Sequence, residues 1–310
     1  MVQYSCQGIT VLKGNRMIIA GFTDEVSDDL SLQIKALKEL GWSNIDLRTV
    51  NGKNISSLSD YEFDKVHRQL AENNIEISCF GSTVANWGRD AITSFDQDML
   101  DMKNSIQHMK KANVRFIRIM SYKLDAPVPL GSEYEKIVIK NIKHIVRLAE
   151  ENDIVCLHEN CDTWAGQSCC HSLRLLEEVN SASLKLVFDT GNPVGMHYIK
   201  DSEPYTYQNS LKFFQEVFTH VEYLHIKDAR RIGESLHYTF PGEGMGNVPE
   251  ILQLIGDKKM DIPVSIEPHV AVVFHDPTVT ASFEERRDNF IAYGKRLEEM
   301  AGEAGLIFSK

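Results

Sequence analysis

Several large protein classes are excluded by what this sequence lacks. It has no run of about 18 apolar residues, so no membrane-spanning helix is expected. Basic residues are in deficit: 33 Lys and Arg stand against 44 Asp and Glu, a formal net charge of −11. Proteins that grip a phosphate backbone draw affinity from clustered Lys and Arg, so nucleic acid is not an expected partner. Neither GxGxxG behind a first strand nor GxxxxGK[ST] occurs, which removes two common nucleotide cradles. Asp24 and Glu25 stand there instead and would repel a phosphate. The six cysteines form no CxxC pair and read as reduced thiols in a chain of 310 residues, with Cys169-Cys170 as core filling. Met1–Arg16 lacks a basic leader followed by a long apolar stretch, so no secretory signal is expected and the cytoplasm is the expected compartment. No Pro/Gly/Ser-rich linker divides the chain.

What the sequence does contain is one unit repeated eight times. Short apolar or β-branched runs at Met17–Phe22, Asn44–Val50, Glu76–Ser82, Arg115–Ser121, Ile154–Glu159, Leu184–Asp189, Tyr223–Lys227 and Pro263–Glu267 predict strands. Amphipathic stretches between them predict helices. Ser27–Leu40 carries Leu30, Ile34, Leu37 and Leu40 on one helical stripe, with Gly41 where a C-terminal cap belongs. The others are Asp60–Asn73, Asp96–Ala112, Ser132–Glu151, Ser168–Val179, Gln208–Phe218, Val248–Ile255 and Ser282–Met300. Strands alternating with helices imply a parallel sheet, and eight such units close a barrel. The expected fold is therefore α/β, a single (β/α)8 TIM barrel over residues 17–310 behind an N-terminal extension, 1–16.

The last four strands each end in a metal-ligand type: Glu159, Asp189, His225 and Glu267. Successive positions lie about one strand–helix unit apart, so all four stand around the C-terminal mouth, where barrel chemistry sits. A lone strand-end carboxylate usually caps a helix or meets solvent, and a lone histidine is usually a satisfied core residue. Three carboxylates gathered without a cation would be very costly, and a divalent ion removes that cost. Three carboxylates and one imidazole make a mostly hard donor set, suited to Mn²⁺ first, then Mg²⁺ or Co²⁺, with Zn²⁺ also accommodated.

With these residues in place, the sequence resembles the sugar phosphate isomerase/epimerase group of the xylose-isomerase-like TIM barrels, a superfamily that also holds apurinic endonucleases. The resemblance runs from Thr23-Asp24-Glu25-Val26-Ser27 to Glu267. It implies a single-metal site made of Glu159, Asp189, His225 and Glu267. It also implies a substrate-directed role for Arg231 and a glycine-rich loop at Pro241-Gly242-Glu243-Gly244. Asn192 departs from the pattern, since many members carry histidine there. Asn can donate a hydrogen bond but cannot take up a proton near neutral pH. The ends of strands 2 and 3 offer Arg48 and Ser82 in place of histidine ligands, against the endonuclease branch.

The activity expected is a metal-dependent isomerisation or epimerisation of a small carbohydrate, a ketose or keto-sugar, through a metal-stabilised enediolate. Glu159 and Glu267 would serve as acid and base. Asn192, Trp87, Arg48, His158 and Lys227, with Arg231, are the candidate substrate-binding residues. Arg48 equally suits a salt bridge to a strand-end acid, and for Trp87 and Trp164 ordinary packing comes ahead of shaping a sugar pocket. Lys227 shares strand parity with His225, which leaves Asp228 facing outward, toward a helix cap. His158 and His269 flank the carboxylates. The alternatives are a metal-dependent dehydratase of a keto-sugar or inositol derivative, with His158 or His269 as acid, and a non-catalytic sugar-binding barrel. Homo-oligomerisation is left open.

Overall fold

The computed structural model describes residues 17–199, 205–272 and 281–310; the expected extension 1–16 lies outside them. Eight parallel strands form the frame: β1 (Met17–Gly21), β2 (Asn44–Leu47), β3 (Glu76–Gly81), β4 (Phe116–Ile119), β5 (Val155–Glu159), β6 (Leu184–Asp189), β7 (Val221–Ile226) and β8 (Val264–Ile266). Hydrogen-bonded neighbours run β1, β8, β7, β6, β5, β4, β3, β2. The sheet thus curls on itself into a barrel. β1 and β2 lie side by side without a shared ladder, and Arg48 just beyond β2 crosses this seam to Asp24 beyond β1.

The connecting helices are α1 (Leu30–Leu40), α2 (Asp60–Glu72), α3 (Phe95–Ala112), α4 (Glu133–Glu150), α5 (Cys169–Val179), α6 (Ser210–Val217), α7 (Val248–Lys258) and α8 (Phe283–Glu303). Side-chain caps set the starts of most of them. Ser59 with Glu62 and Ser282 with Glu285 form capping boxes, and Asp29, Ser132 and Ser168 accept first-turn N–H groups. Gly41 ends α1 at φ +73, a conformation open to glycine at little cost.

Two apolar layers follow from the period-2 alternation of the strands. Val155 and Leu157 of β5, Val187 of β6, Tyr223 of β7 and Cys79 of β3 fill the barrel interior. Cys156, Leu186, Phe188, Leu224 and Ile226 point the other way, into the shell packed under the helices. Each fully buried Leu or Val contributes roughly 1.5–3 kcal/mol. Along the inward rows the apolar residues give way at the C-terminal end to Glu159, Asp189 and His225. One parity rule therefore builds both core and site.

Sequence patterning overlooks the smaller elements. The second strand stops at Leu47, because Thr49–Val50 turns back to pair with Lys53–Asn54. Asp228–Ile232 and Ser235–Thr239 form an antiparallel hairpin beyond β7. Phe308–Ser309 adds to the edge of β1. Asp228 caps no helix: its carboxylate accepts the N–H groups of Ala229, Gly242, Gly244 and Gly246 at 2.8–3.0 Å. It thereby gathers the glycine-rich loop. A Cβ on Gly244 would sit 2.2 Å from Asp228 Oδ1, so the loop requires glycine there.

Candidate metal centre

Glu159, Asp189, His225 and Glu267 converge as expected, each offering one ligand atom, with all of these atoms within 4.8 Å of one another and every residue buried. Ladder register produces this. Asp189 pairs with His225 across β6 and β7, and paired residues in parallel strands present side chains on one face. His225 Nδ1 lies 3.3 Å from Glu159 Oε1, and its Nε2 lies 3.7 Å from Asp46 Oδ2. Asp189 Oδ1 accepts the N–H groups of Gly191 and Asn192 at 2.8 and 2.7 Å.

Three permanent cations stand among the donors. Arg118 donates to Glu159 Oε2 at 3.2 Å and to the Ser82 carbonyl at 3.0 Å. Arg48 donates to both oxygens of Asp24, at 2.8 and 2.9 Å, and to Glu267 Oε1. Lys227 Nζ reaches Glu267 Oε2 at 2.8 Å, Asp189 Oδ2 at 3.2 Å and the Asn192 amide oxygen at 3.2 Å. Arg48 is thus a salt-bridge residue of the seam. Arg118 is a member of the site that the sequence reading missed; its signal is an arginine inside the otherwise apolar run Phe116-Ile117-Arg118-Ile119.

The residues present fit a divalent ion. Six buried carboxylates (Asp24, Glu25, Asp46, Glu159, Asp189 and Glu267) share the region with three permanent cations, an imbalance that a doubly charged ion offsets. Asp189 Oδ2, His225 Nε2 and Asp46 Oδ2 are buried with no close hydrogen bond, although the first has Lys227 at ion-pair distance and the other two face each other at 3.7 Å.

Protonation follows the same contacts. Burial works to raise the Glu159 carboxyl, but Arg118 and His225 outweigh it and bring it down to about 2. Burial also opposes the charge on Glu267, yet Lys227, His269 and Arg48 hold it well below the usual carboxylate range. Asp189 is raised, mainly by burial, with Glu159 and Glu267 adding to the effect. The imidazolium of His225 is disfavoured by burial but favoured more strongly by Asp46 and Glu159, which lift it to about 9.

The other expected residues fall at varied distances from this cluster. Asn192 Nδ2 lies 3.4 Å from Glu159 Oε1, beside the donors. His158 takes the opposite parity to Glu159 and pairs with Ser121 Oγ at 3.0 Å, outside the barrel; burial lowers it to about 4. Trp87 is 44% exposed, and Trp164 is buried edge-on to His171. Arg231 lies on the hairpin beyond β7, donating to the Val194 carbonyl at 2.6 Å over the Tyr207 ring. His269 Nδ1 lies 2.8 Å from Glu25 Oε1, and its backbone N–H goes to the same carboxylate. Tyr238, unmarked in the sequence reading, stacks edge-on to His269 and lies close enough to Lys227, Asp189 and Glu267 for their charges to act on it.

No curated protein matches the chain in sequence. Solved structures with the same fold include a xylose isomerase-like TIM barrel protein from Mycobacterium smegmatis in complex with magnesium, at 16% identity and TM-score 0.67, covering 92% of this chain and 98% of that one. D-allulose 3-epimerase from Methylomonas sp., in complex with D-allulose, matches at 16% identity and TM-score 0.68, covering 93% and 97%. The probable 3-DHS dehydratase AsbF from Bacillus anthracis matches at 15% identity and TM-score 0.67, covering 91% and 99%. The family model described as xylose isomerase-like TIM barrel matches residues 34–304. The chain belongs to the xylose isomerase-like TIM barrel family.

Proposed function

We propose that this barrel is a divalent-metal-dependent isomerase or epimerase of a small carbohydrate, a ketose or keto-sugar. The observation that carries the reading is the convergence of Glu159, Asp189, His225 and Glu267 at the ends of four consecutive strands. These four would hold the ion, with Mn²⁺ first and Mg²⁺, Co²⁺ or Zn²⁺ also suited. When bound, such an ion supplies Lewis-acid polarisation of a substrate carbonyl and acidifies the neighbouring C–H.

The chain's own residues do the rest. Glu159 and Glu267 come from β5 and the end of β8, on either side of the other two ligands, and flank the place where substrate enters. Both are ionised at neutral pH, Glu159 through Arg118 and Glu267 through Lys227 and Arg48. Each can accept a proton at a carboxylate oxygen: one takes it from carbon and later releases it to solvent, and the other, after taking up a proton from solvent, returns that proton to carbon. Return on the opposite face inverts the centre, and return to the neighbouring carbon exchanges aldose and ketose. Asn192 and Lys227 supply polar atoms beside the donors for substrate oxygens, and Tyr238 walls the hairpin side. A cytoplasmic setting belongs to the same reading, supported by five free cysteines among the described residues.

The dehydratase reading has less support. Of the two acids it called on, His158 faces away from the donors, and His269 is tied through Nδ1 and its backbone N–H to Glu25. A binding protein has no need of two glutamates placed as acid and base.

The test is solvent exchange with Mn²⁺-loaded protein and a panel of ketoses in D₂O. Deuterium should enter the substrate at carbon without loss of water from the product. In Glu159→Gln and Glu267→Gln, turnover should fall by roughly 10²–10⁴-fold. Wild-type turnover in both variants would refute the paired-glutamate chemistry, and a product lighter by water would assign a lyase.

A further inference from the structure

On the candidate metal donors each guanidinium takes one carboxylate oxygen and leaves its twin: Arg118 is on Glu159 Oε2 and Arg48 on Glu267 Oε1. Asp189 Oδ1 is committed to two backbone N–H groups. The oxygens that remain for an ion on β6 and at the end of β8 are therefore Asp189 Oδ2 and Glu267 Oε2. These are the two that the Lys227 ammonium faces, at 3.2 and 2.8 Å.

The lysine is held there by built structure. Thr190 Oγ1 donates to the Lys227 carbonyl at 2.6 Å and accepts its N–H at 3.1 Å. Gly191 leaves room for the stem: a Cβ there would lie 2.7 Å from Lys227 Cγ. The buried ammonium has a third partner, the Asn192 amide oxygen at 3.2 Å, which asks nothing of the carboxylates.

We propose that Lys227 is the internal counter-ion of this site and competes with the divalent ion for Asp189 Oδ2 and Glu267 Oε2. The inference rests on the metal-dependent reading above. Two cations cannot share the same pair of oxygens in a buried setting without strong repulsion. Ion binding must therefore displace the ammonium toward Asn192, and the ion's affinity is set below what four unopposed donors would give. In return the ion-free barrel keeps Asp189 and Glu267 facing a cation, so folding does not wait on metal.

Mn²⁺ titration calorimetry and ion-free thermal unfolding of wild type and Lys227→Met separate these effects. The variant should bind Mn²⁺ at least about tenfold more tightly, while its ion-free form melts several degrees lower and regains the loss when Mn²⁺ is added. Equal or weaker Mn²⁺ binding by a folded variant overturns the proposal. Binding by the variant alone, with none by wild type, supports the competition and refutes the metal-dependent reading of the native protein. Binding by neither overturns both. Should Lys227→Met fold only with Mn²⁺ present, the counter-ion role stands. Should it fold in neither condition, Lys227→Gln takes its place in the titration, and failure of that variant to fold with Mn²⁺ overturns the proposal.

Discussion

Strands β5, β6, β7 and β8 end in donors: Glu159, Asp189, His225 and Glu267. Strands β2 and β4 end in guanidinium groups, Arg48 and Arg118, and each grips a carboxylate belonging to the other half of the barrel. The donor half holds three inward carboxylates that would repel one another in isolation. The cation half turns that repulsion into fixed orientation, since its bonds to Glu159 and Glu267 each pin one oxygen and aim the other. A ligand set that looks complete when read strand by strand is therefore half a site. Its geometry depends on residues brought from elsewhere in the sequence, as far as 219 positions away in the Arg48–Glu267 pair.

The sharpest break of this comparison lies in the donor half. Asp189→Ala or His225→Ala should abolish stoichiometric Mn²⁺ binding, measured by elemental analysis after desalting, while far-UV circular dichroism stays that of a folded α/β barrel. Asp189 is the proposed ligand with one oxygen committed to backbone N–H groups and the other facing Lys227, so no neighbour replaces it. Undiminished metal content in both variants would refute the ligand assignment.

A smaller loss, of stability, should mark the cation half. Arg48→Met removes the group that bridges Asp24, Glu25 and Glu267 across the β1–β2 seam, leaving Asp24 buried without its cation while Glu267 keeps Lys227 and Glu25 keeps His269. Breaking a buried ion pair from one side costs roughly 3–5 kcal/mol. Urea unfolding of the ion-free protein should show a loss of that order, and a smaller one for Arg118→Met, whose guanidinium serves a single carboxylate and a carbonyl. If Arg48→Met costs less than about 1 kcal/mol, the cation half is not what holds the donors in place.

The two halves also differ in how much of them the sequence reveals. Strand-end donors on β5–β8 recur about one strand–helix unit apart and share the inward parity of Val155, Leu157 and Val187, so period and spacing alone bring them together. The barrel itself is legible for the same reason, because eight amphipathic repeats admit few other closures. Arg118 sits in mid-run with no neighbour in sequence to suggest its carboxylate partner; only ladder closure supplies Glu159. His158 shows the converse: adjacency to Glu159 suggests membership of the site, whereas alternation sends it to the opposite face, onto Ser121. Asp228 was legible as outward-facing but not as the anchor of four loop N–H groups, since nothing in the sequence tells a loop cap from a helix cap. The short antiparallel hairpins carry too few residues to show a period at all.

The smallest expected effect lies away from the donors, where the loops after β3 and β4 are pinned together. Ala85 and Tyr122 both adopt positive φ, +52 and +68, and the Tyr122 N–H donates to the Ala85 carbonyl at 2.6 Å. Asp98 of α3, fully buried, accepts the Ala85 N–H at 3.1 Å, with Arg89 at 3.8 Å and Asp101 and Tyr122 nearby. Burial raises its carboxyl to about 6, and the Ala85 bond, Arg89 and Tyr122 offset only part of that rise. The folded state thus binds this proton more tightly than the unfolded chain. The contribution of Asp98 to stability is fully present below the unfolded value near 4 and is lost as pH rises through about 6. Two pKa units correspond to about 3 kcal/mol. Asn at this position keeps an oxygen for the Ala85 N–H but does not titrate. Measured by urea unfolding between pH 4 and pH 7, the stability of wild type relative to Asp98→Asn should fall by about 3 kcal/mol as pH rises, with other titrating groups cancelling in the difference. A flat difference across that range would mean that Asp98 stays ionised in the folded barrel and that the loop clamp is an ordinary ion pair with Arg89.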